Sequence, residues 1–176
     1  MNKAFLLLGS NLGERELFLS KAIELFEKSY GKVVAISAIY STAPWPAQTE
    51  DKNKQNDFLN QAVCIETRLS APDLLNSLLK IEKEIGRIRN KKWEARIIDI
   101  DILFYNEEII NTALLTVPHP YLHLRKFALV PLAEIAAEFI HPVFKKSIKN
   151  ILSENSDNLP VNRYFSEPSL LVKKHT

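Results

Sequence analysis

Glycine and cysteine are scarce in this chain, and their scarcity excludes several kinds of site. Only four glycines occur among 176 residues, and none builds the G-x-x-x-x-G-K-[ST] or G-x-G-x-x-G loops whose backbone N–H groups cradle phosphates. If this chain binds a nucleotide, side chains rather than a glycine-rich backbone loop must therefore bind its phosphates. The single cysteine, Cys64, excludes an internal disulfide, and we expect it to be an inert thiol in a buried strand.

Long apolar runs and a strong net charge are also missing. The apolar run near the N-terminus stops at Gly9 and is too short for a signal-peptide core or a membrane span. We therefore expect a cytoplasmic protein without a membrane partner. The formal net charge of +2 is too small to imply a nucleic-acid partner, and 176 residues with 46% hydrophobic content suit one globular domain.

The most informative feature that is present is a pair of carboxylates, Asp99 and Asp101, in an apolar strand. Side chains alternate faces along a strand, so Ile98, Ile100, Ile102 and Phe104 are predicted to enter a core. The aspartates then share the other face, with Cα atoms about 6.6 Å apart. Such a pair suits Mg²⁺, which fills its remaining positions with water and phosphate oxygens. Most Asp-x-Asp pairs merely line a wet face, so the pair alone is a weak signal.

A cationic segment directly before this pair strengthens the metal interpretation. Its five cations within ten residues are Arg87, Arg89, Lys91, Lys92 and Arg96. Alone, the segment would be interpreted as a solvated basic loop. Next to the carboxylates, it favours an anionic ligand that carries its own Mg²⁺, because arginine binds phosphate oxygens bidentately and lysine acts as a point charge.

The predicted elements follow the order β-α-β-β-α-β. We expect strands over residues 3–8, 32–40 and 58–67 and from Asp99, helices over 14–29 and from an N-cap at Ser70 to 85, a short hairpin through 106–108, and helical turns near 128–137 and 148–153. This order is typical of a ferredoxin-like α+β fold, an antiparallel four-stranded sheet backed by helices, here with extra C-terminal helices. We expect one domain over residues 1–154 and a loosely ordered tail over 155–176.

Several short motifs occur in order between residues 5 and 151. They are LGSNLG at 8–13, YSTAP at 40–44, DFLN at 57–60, IE at 81–82 followed by GRIR at 86–89, RIIDID at 96–101 and LTVPH at 115–119. In these motifs and their spacing the chain resembles the 6-hydroxymethyl-7,8-dihydropterin pyrophosphokinases of folate biosynthesis. The resemblance implies transfer of a pyrophosphoryl group from ATP to the hydroxymethyl oxygen of the pterin, with release of AMP.

The resemblance also implies roles for individual residues. Asp99 and Asp101 would bind two Mg²⁺ ions, and Arg87 and Arg96 would offset the charge that builds up as the β-phosphorus is attacked. The residues expected to hold the co-substrate ATP are Glu82, Arg89, Lys92, Trp93, Thr116, His119, Arg125 and the backbone of Ile102. Those expected to hold the pterin are Thr42, Ala43, Trp45, Asn60 and the stacking rings of Phe58 and Phe127. We also expect loops 43–57 and 87–96 to close over the substrates.

Two other functions remain open from the sequence. A non-catalytic ferredoxin-like RNA-binding module would display aromatic residues together on its central strands, but the strand over 3–8 offers only Phe5 and that over 32–40 only Tyr40. A different Mg²⁺-dependent phosphoryl or nucleotidyl transferase would bind ATP and not the pterin. We therefore expect a monomeric enzyme whose partners are two small molecules rather than nucleic acid.

Overall fold

The computed structural model describes residues 1–44, 56–87 and 96–166. Its elements are β1 (Asn2–Ser10), α1 (Arg15–Ser29), β2 (Gly31–Ile36), β3 (Tyr40–Thr42), β4 (Phe58–Thr67), α2 (Ala71–Ile85), β5 (Asp99–Tyr105), β6 (Ile110–Asn111), β7 (Thr116–Val117), a 3-10 turn (Leu122–Leu124), α3 (Lys126–Ala136), α4 (Ile148–Ser153) and β8 (Val161–Arg163). None of the helices in these ranges is both long enough and apolar enough to cross a membrane.

Six strands form one antiparallel sheet around the central pair β1 and β4. The strand order is β5-β1-β4-β3-β8, and β2 pairs with the other end of β4. The short strands β6 and β7 pair separately. The predicted antiparallel sheet with helices is confirmed, but the described sheet has six strands rather than the four expected.

Helices cover both faces of this sheet. Along β1, Leu6 and Leu8 are buried with residues of α1 and α2, whereas Phe5 and Leu7 are buried with residues of α3 and α4. This division follows from the strand period of two, and each fully buried large apolar side chain stabilises the fold by roughly 1.5–3 kcal/mol. The helical turns predicted near 128–137 and 148–153 are α3 and α4, which form the second layer.

Helix α2 has the predicted boundaries because both of its ends are capped. The hydroxyl of Ser70 accepts a hydrogen bond from the backbone N–H of Asp73 at 3.3 Å. At the other end, Gly86 has φ +115°, a left-handed conformation that favours glycine and ends the helix. The chain leaves this cap at Arg87, directly beside β5.

The strand predicted over residues 32–40 is instead divided into β2 and β3. Ser37 donates its N–H to Ala62 O and accepts the Ala62 N–H on its hydroxyl, both at 2.9 Å. Glu134 of α3 then accepts the N–H of Ala38 at 3.1 Å. These side-chain hydrogen bonds replace regular ladder bonds and break the strand.

The hairpin predicted through residues 106–108 is also corrected. A turn is present there, with Asn106 at φ +49°. The paired strands are nevertheless β6 and β7, which are joined by a turn in which Thr112 N–H donates to Leu115 O at 2.9 Å. The prediction therefore located a turn but assigned it the wrong strand pair.

The C-terminal segment differs from the loose tail expected after residue 154. β8 pairs with β3, and the next residue, Tyr164, donates its N–H to Ile39 O at 2.8 Å. Asn155 donates its side-chain amide to His123 O at 2.9 Å. Residues between 155 and 164 are thus held against the sheet and the 3-10 turn, while 167–176 lie outside the described residues.

Candidate active site

The two aspartates of β5 lie on the sheet face that is covered by α3 and α4. Ile100 and Ile102 are buried among the α1 and α2 side chains, so Asp99 and Asp101 point to the opposite face. Asp99 lies opposite Gly9 of β1 in the strand register. The predicted alternation is confirmed through Ile102, but Phe104 is buried with α3 and α4 instead of with α1 and α2, because the pairing of β5 with β1 shifts register between Ile102 and Phe104.

Asp99 is held by two arginines. Arg87 Nη1 lies 2.7 Å from Asp99 Oδ1, and Arg96 Nη1 contacts Oδ2. Arg87 also forms an ion pair with Glu82 Oε2. Both predicted arginines therefore meet the predicted metal-binding aspartate, although they come from opposite ends of the basic loop.

Glu82 links the end of α2 to β5. Its Oε1 accepts the backbone N–H of Ile100 at 2.8 Å, and its carbonyl oxygen accepts the N–H of Arg87 at 3.0 Å. The residue is only 2% exposed. Its carboxylate thus serves the protein itself, by fixing Arg87 beside the strand; contact of Glu82 with ATP stays a prediction.

Burial and neighbouring charges shift the pKa values in this cluster. Burial, with a further contribution from the negative charge of Asp99, raises the pKa of Asp101 to about 7 against the opposing effect of nearby arginines. Burial raises the pKa of Glu82, opposed mainly by Arg87. Burial alone would lower the pKa of Arg87, but the carboxylates of Asp99 and Glu82 raise it overall. A cation bound beside Asp101 would favour its ionised form.

Arg125 forms the far side of the same region with a group of rings. Its Nη1 lies 3.4 Å from His119 Nε2, and its guanidinium carbon lies 5.5 Å from the ring centre of Tyr121 and 5.7 Å from that of Phe127. His119 is anchored to the sheet because its N–H donates to Leu103 O at 3.0 Å. The arrangement supports Arg125 by cation–π contact as well as by charge.

His119 is neutral near pH 7. Burial, and secondarily the charge of Arg125, lowers its pKa to about 4. Its Nδ1 faces the Tyr121 N–H at 3.3 Å. The pKa of Arg125 is lowered by burial, while the negative charges of Asp101 and Asp99 oppose that shift. The charges of this cluster and of the β5 carboxylates are therefore coupled.

The polar residues predicted to contact the pterin are close together on β3 and β4. Asn60 Nδ2 donates to Thr42 Oγ1 at 2.7 Å, and both residues are buried. Asn60 lies opposite Gly9, where an added Cβ would come within 3.1 Å of Asn60 Oδ1 and 3.9 Å of Phe58 Cδ1. Glycine therefore keeps the surface of β1 open beside these side chains. Phe127 packs on the α3 and α4 layer that faces them.

The remaining predicted residues are more scattered. Ala43 is half-buried after β3, Thr116 is exposed on β7 with its hydroxyl 3.5 Å from Asn111 Oδ1, and the side chain of Ile102 is buried, which leaves only its backbone for a ligand. The residues that lie outside the described ranges are Trp45, Arg89, Lys92 and Trp93, with most of the two loops predicted to close.

Sequence reasoning missed the role of Asn11, which is fully buried. Asn11 Oδ1 accepts the N–H of Arg96 at 2.7 Å, and Asn11 N–H donates to Arg96 O at 3.1 Å. Asn11 Nδ2 donates to Asn56 O at 3.4 Å. One side chain therefore holds an end of both loops. The only signal in the sequence is that Asn11 belongs to the LGSNLG motif at 8–13.

The donor set fits Mg²⁺. Among the described residues, no group of three His, Cys, Asp or Glu side chains could hold a metal by itself. Asp99 and Asp101 supply oxygen donors on one face of β5. Mg²⁺ typically takes one or two carboxylates and completes its shell with water and phosphate oxygens, so these residues match it when a nucleotide is present.

Two curated proteins with the same name are similar to most of this chain. A pyrophosphokinase from Aquifex aeolicus, named 2-amino-4-hydroxy-6-hydroxymethyldihydropteridine pyrophosphokinase, is 41% identical over 156 residues, which are 89% of this chain and 94% of that protein. A protein of the same name from Bacillus subtilis is 44% identical over 138 residues, 78% of this chain and 80% of its own length.

A solved structure shows the same fold at low sequence identity. The wild-type HPPK-DHPS of Plasmodium falciparum superposes with a TM-score of 0.72 at 20% identity, over 87% of this chain and 44% of that one, so this chain spans less than half of that longer protein. The family model for 7,8-dihydro-6-hydroxymethylpterin-pyrophosphokinase (HPPK) matches residues 5–137. The chain therefore belongs to the 7,8-dihydro-6-hydroxymethylpterin-pyrophosphokinase family.

Proposed function

We propose that this chain transfers the pyrophosphoryl group of ATP to the hydroxymethyl oxygen of 6-hydroxymethyl-7,8-dihydropterin, in folate biosynthesis. The hydroxymethyl oxygen attacks the β-phosphorus, the bond from that phosphorus to the bridging α-phosphate oxygen breaks, and AMP leaves with the electron pair while the hydroxyl proton is released. The observation that carries the proposal is the carboxylate pair on β5 with the guanidinium groups of Arg87, Arg96 and Arg125 around it.

Asp99 and Asp101 are the proposed ligands of two Mg²⁺ ions. When bound, these ions would neutralise the triphosphate and polarise the β-phosphoryl group. Fully ionised ATP carries four negative charges, and two Mg²⁺ ions carry four positive ones. The complex therefore has no net charge, and its binding would add none to the site. Arg87 and Arg96 remain to stabilise the negative charge that develops on the transferred group.

The nucleotide is proposed to lie between the basic loop and the Arg125 cluster. Arg125 and neutral His119 would contact the phosphates, and Thr116 and the edge-strand backbone of Ile102 would contact the nucleoside, with help from Glu82. Arg89, Lys92 and Trp93 complete the proposed set. Because the described residues around Arg125 include two aromatic rings, the guanidinium would keep its orientation when the nucleotide leaves.

The pterin is proposed to bind over Gly9, between the rings of Phe58 and Phe127. Asn60 would form hydrogen bonds with the edge of the pterin, oriented by its contact with Thr42 at 2.7 Å. Ala43 and Trp45 would close the site from the loop. An apolar slot with one oriented amide suits a flat heterocycle that has donors and acceptors on its edge.

The proposal also covers the architecture, oligomeric state, location and partners of the protein. We propose a ferredoxin-like core within a single domain over residues 1–154, to whose sheet β8 adds a further strand, and which acts as a monomer in the cytoplasm on two small-molecule substrates. Strands β1, β2, β4 and β5 and helices α1 and α2 would make up that core. The proposal includes no nucleic-acid or membrane partner.

The test is an analysis of products. The purified protein is incubated with ATP, Mg²⁺ and 6-hydroxymethyl-7,8-dihydropterin, and AMP is separated from ADP. We expect AMP only when both the pterin and the metal are present; samples without pterin, and samples with excess chelator, are the controls. Formation of ADP instead would indicate transfer of a single phosphoryl group and would contradict the proposal.

A further inference from the structure

Each carboxylate oxygen of Asp99, a proposed metal ligand, contacts an arginine. Asp99 Oδ1 faces Arg87 Nη1 at 2.7 Å, and Asp99 Oδ2 contacts Arg96 Nη1. A metal ion that approaches Asp99 therefore meets the positive charge of two arginines that already contact the carboxylate. Each oxygen keeps a further lone pair, so the arginines oppose metal binding mainly by charge repulsion and by competition for the carboxylate.

The two arginines are anchored differently. Arg87 has a second carboxylate, Glu82, which is buried and is fixed to β5 through the Ile100 N–H at 2.8 Å. Arg87 can thus lose Asp99 and still have an anionic partner. The one ion pair found for Arg96 within the described ranges is the pair with Asp99.

Arg96 combines an anchored backbone with a side chain that is more exposed than that of Arg87. Asn11 holds the backbone of Arg96 at two atoms. The Arg96 N–H donates to Asn11 Oδ1 at 2.7 Å, and the Arg96 carbonyl oxygen accepts the Asn11 N–H at 3.1 Å. The Arg96 side chain is 30% exposed, compared with 12% for that of Arg87. The guanidinium of Arg96 is therefore the more accessible of the two to a ligand.

We propose that Arg96, supported by Arg87, excludes free divalent metal from Asp99 until the nucleotide binds. The guanidinium of Arg96 then forms its hydrogen bonds with the phosphates instead of with Asp99, and the carboxylate becomes available to the metal. The proposal rests on the proposed function, because it takes the metal–nucleotide complex as the natural ligand. It adds an order of events: metal binds with the triphosphate and not before it. An empty site would then not collect free metal.

Removal of the Arg96 charge should therefore have opposite effects on metal affinity without and with nucleotide. A purely structural role of Arg96 would not produce opposite effects. Without nucleotide, removal of the Arg96 charge takes away a competitor of the metal, so the metal should bind more tightly. With nucleotide, the same removal takes away a partner of the phosphates, so the metal–nucleotide complex should bind more weakly. A partly exposed ion pair is worth about 0.2–1 kcal/mol, which corresponds to a change of about 1.5- to fivefold in each direction.

The experiment measures Mn²⁺ binding by electron paramagnetic resonance, with Mn²⁺ as the spectroscopic substitute for Mg²⁺. Wild type, Arg96→Gln and Arg96→Lys are titrated alone and with α,β-methylene-ATP, which cannot be cleaved at the bond that breaks in the reaction. Arg68→Gln is the matched control, because Arg68 is exposed at the far end of β4 and its replacement removes the same charge away from Asp99. Circular dichroism checks that each variant is folded.

We expect Arg96→Gln to lower the dissociation constant for Mn²⁺ alone and to raise it in the presence of the analogue. Arg96→Lys, which keeps a cation, should stay closer to wild type in the absence of nucleotide, and Arg68→Gln should change neither constant appreciably. Weaker or unchanged binding of Mn²⁺ alone to Arg96→Gln would overturn the inference while leaving the proposed function intact. If wild type binds no Mn²⁺ even with the analogue, the proposed metal site fails, and the inference fails with it.

Discussion

Replacing Asn11 with alanine should loosen the chain at the point where Arg96 enters the site. The Asn11 side chain is fully buried, accepts the Arg96 N–H at 2.7 Å and donates to Asn56 O at 3.4 Å. Each lost hydrogen bond costs about 1 kcal/mol, and leaving the Arg96 N–H without its acceptor costs about 1 kcal/mol more. We therefore expect the free energy of unfolding to fall by about 2–4 kcal/mol.

The same substitution should lower the rate of pyrophosphoryl transfer. The guanidinium of Arg96 meets Asp99 only because its backbone is fixed, so a loosened backbone spreads the guanidinium over several positions. If about 1–2 kcal/mol of the lost stabilisation is expressed in the transition state, kcat falls about five- to thirtyfold. Urea denaturation followed by circular dichroism measures the first effect, and steady-state formation of AMP measures the second.

Two variants make this prediction specific. Asn11→Asp keeps the acceptor for Arg96 but loses the amide donor to Asn56, so it should restore more of kcat than alanine does. Asn162→Ala, at an exposed position on β8, should change neither quantity. The reasoning is refuted if Asn11→Ala keeps its free energy of unfolding within about 0.5 kcal/mol of wild type and also keeps its kcat, since ordinary surface changes have effects of that size.

Three further predictions concern separate parts of the molecule. Gly9→Ala places a methyl group 3.1 Å from Asn60 Oδ1, so it should weaken pterin binding and spare ATP binding, as measured by calorimetry; equal losses for both ligands would contradict the assignment. Asp99→Ala and Asp101→Ala should each lower kcat by orders of magnitude with little change in circular dichroism, and near-normal turnover of either variant would overturn the metal assignment. His141 is held neutral in the fold, where burial lowers its pKa from 6.5 to about 4 and Nδ1 accepts two backbone N–H groups at 3.1 and 3.3 Å. At this site the unfolded chain then binds more protons between these two values, so the contribution of His141 to stability should fall as the pH drops from 6.5 to 4, by at most about 1.4 kcal/mol per pH unit. Urea titrations across this range should show a smaller slope for His141→Asn, and identical slopes would argue against the reasoning.

Features with a local cause were predictable from the sequence. Ser70 and Gly86 cap α2 through contacts within a few residues, so the predicted boundaries agree with the structure. The common face of Asp99 and Asp101 follows from the strand period alone. The proximity of Arg87 and Arg96 to Asp99 was likewise predictable, because only 12 and 3 residues separate them along the chain.

Features that depend on distant partners were not predictable. The break between β2 and β3 depends on Glu134, which lies 96 residues after Ala38. β8 is a strand because residues 161–163 pair with the edge strand β3 at residues 40–42, more than 100 positions earlier in the chain. The role of Asn11 has the same origin, since its acceptor contact with Arg96 spans 85 residues. Periodicity and capping patterns contain no information about such contacts.

The most direct test of the central claim follows the β-phosphorus itself. ATP labelled with ³²P at the β-position is incubated with Mg²⁺, 6-hydroxymethyl-7,8-dihydropterin and the protein, and the products are separated. The account predicts that the label moves to the pterin product while the AMP that forms is unlabelled. Label found in ADP, with none on the pterin, would contradict it.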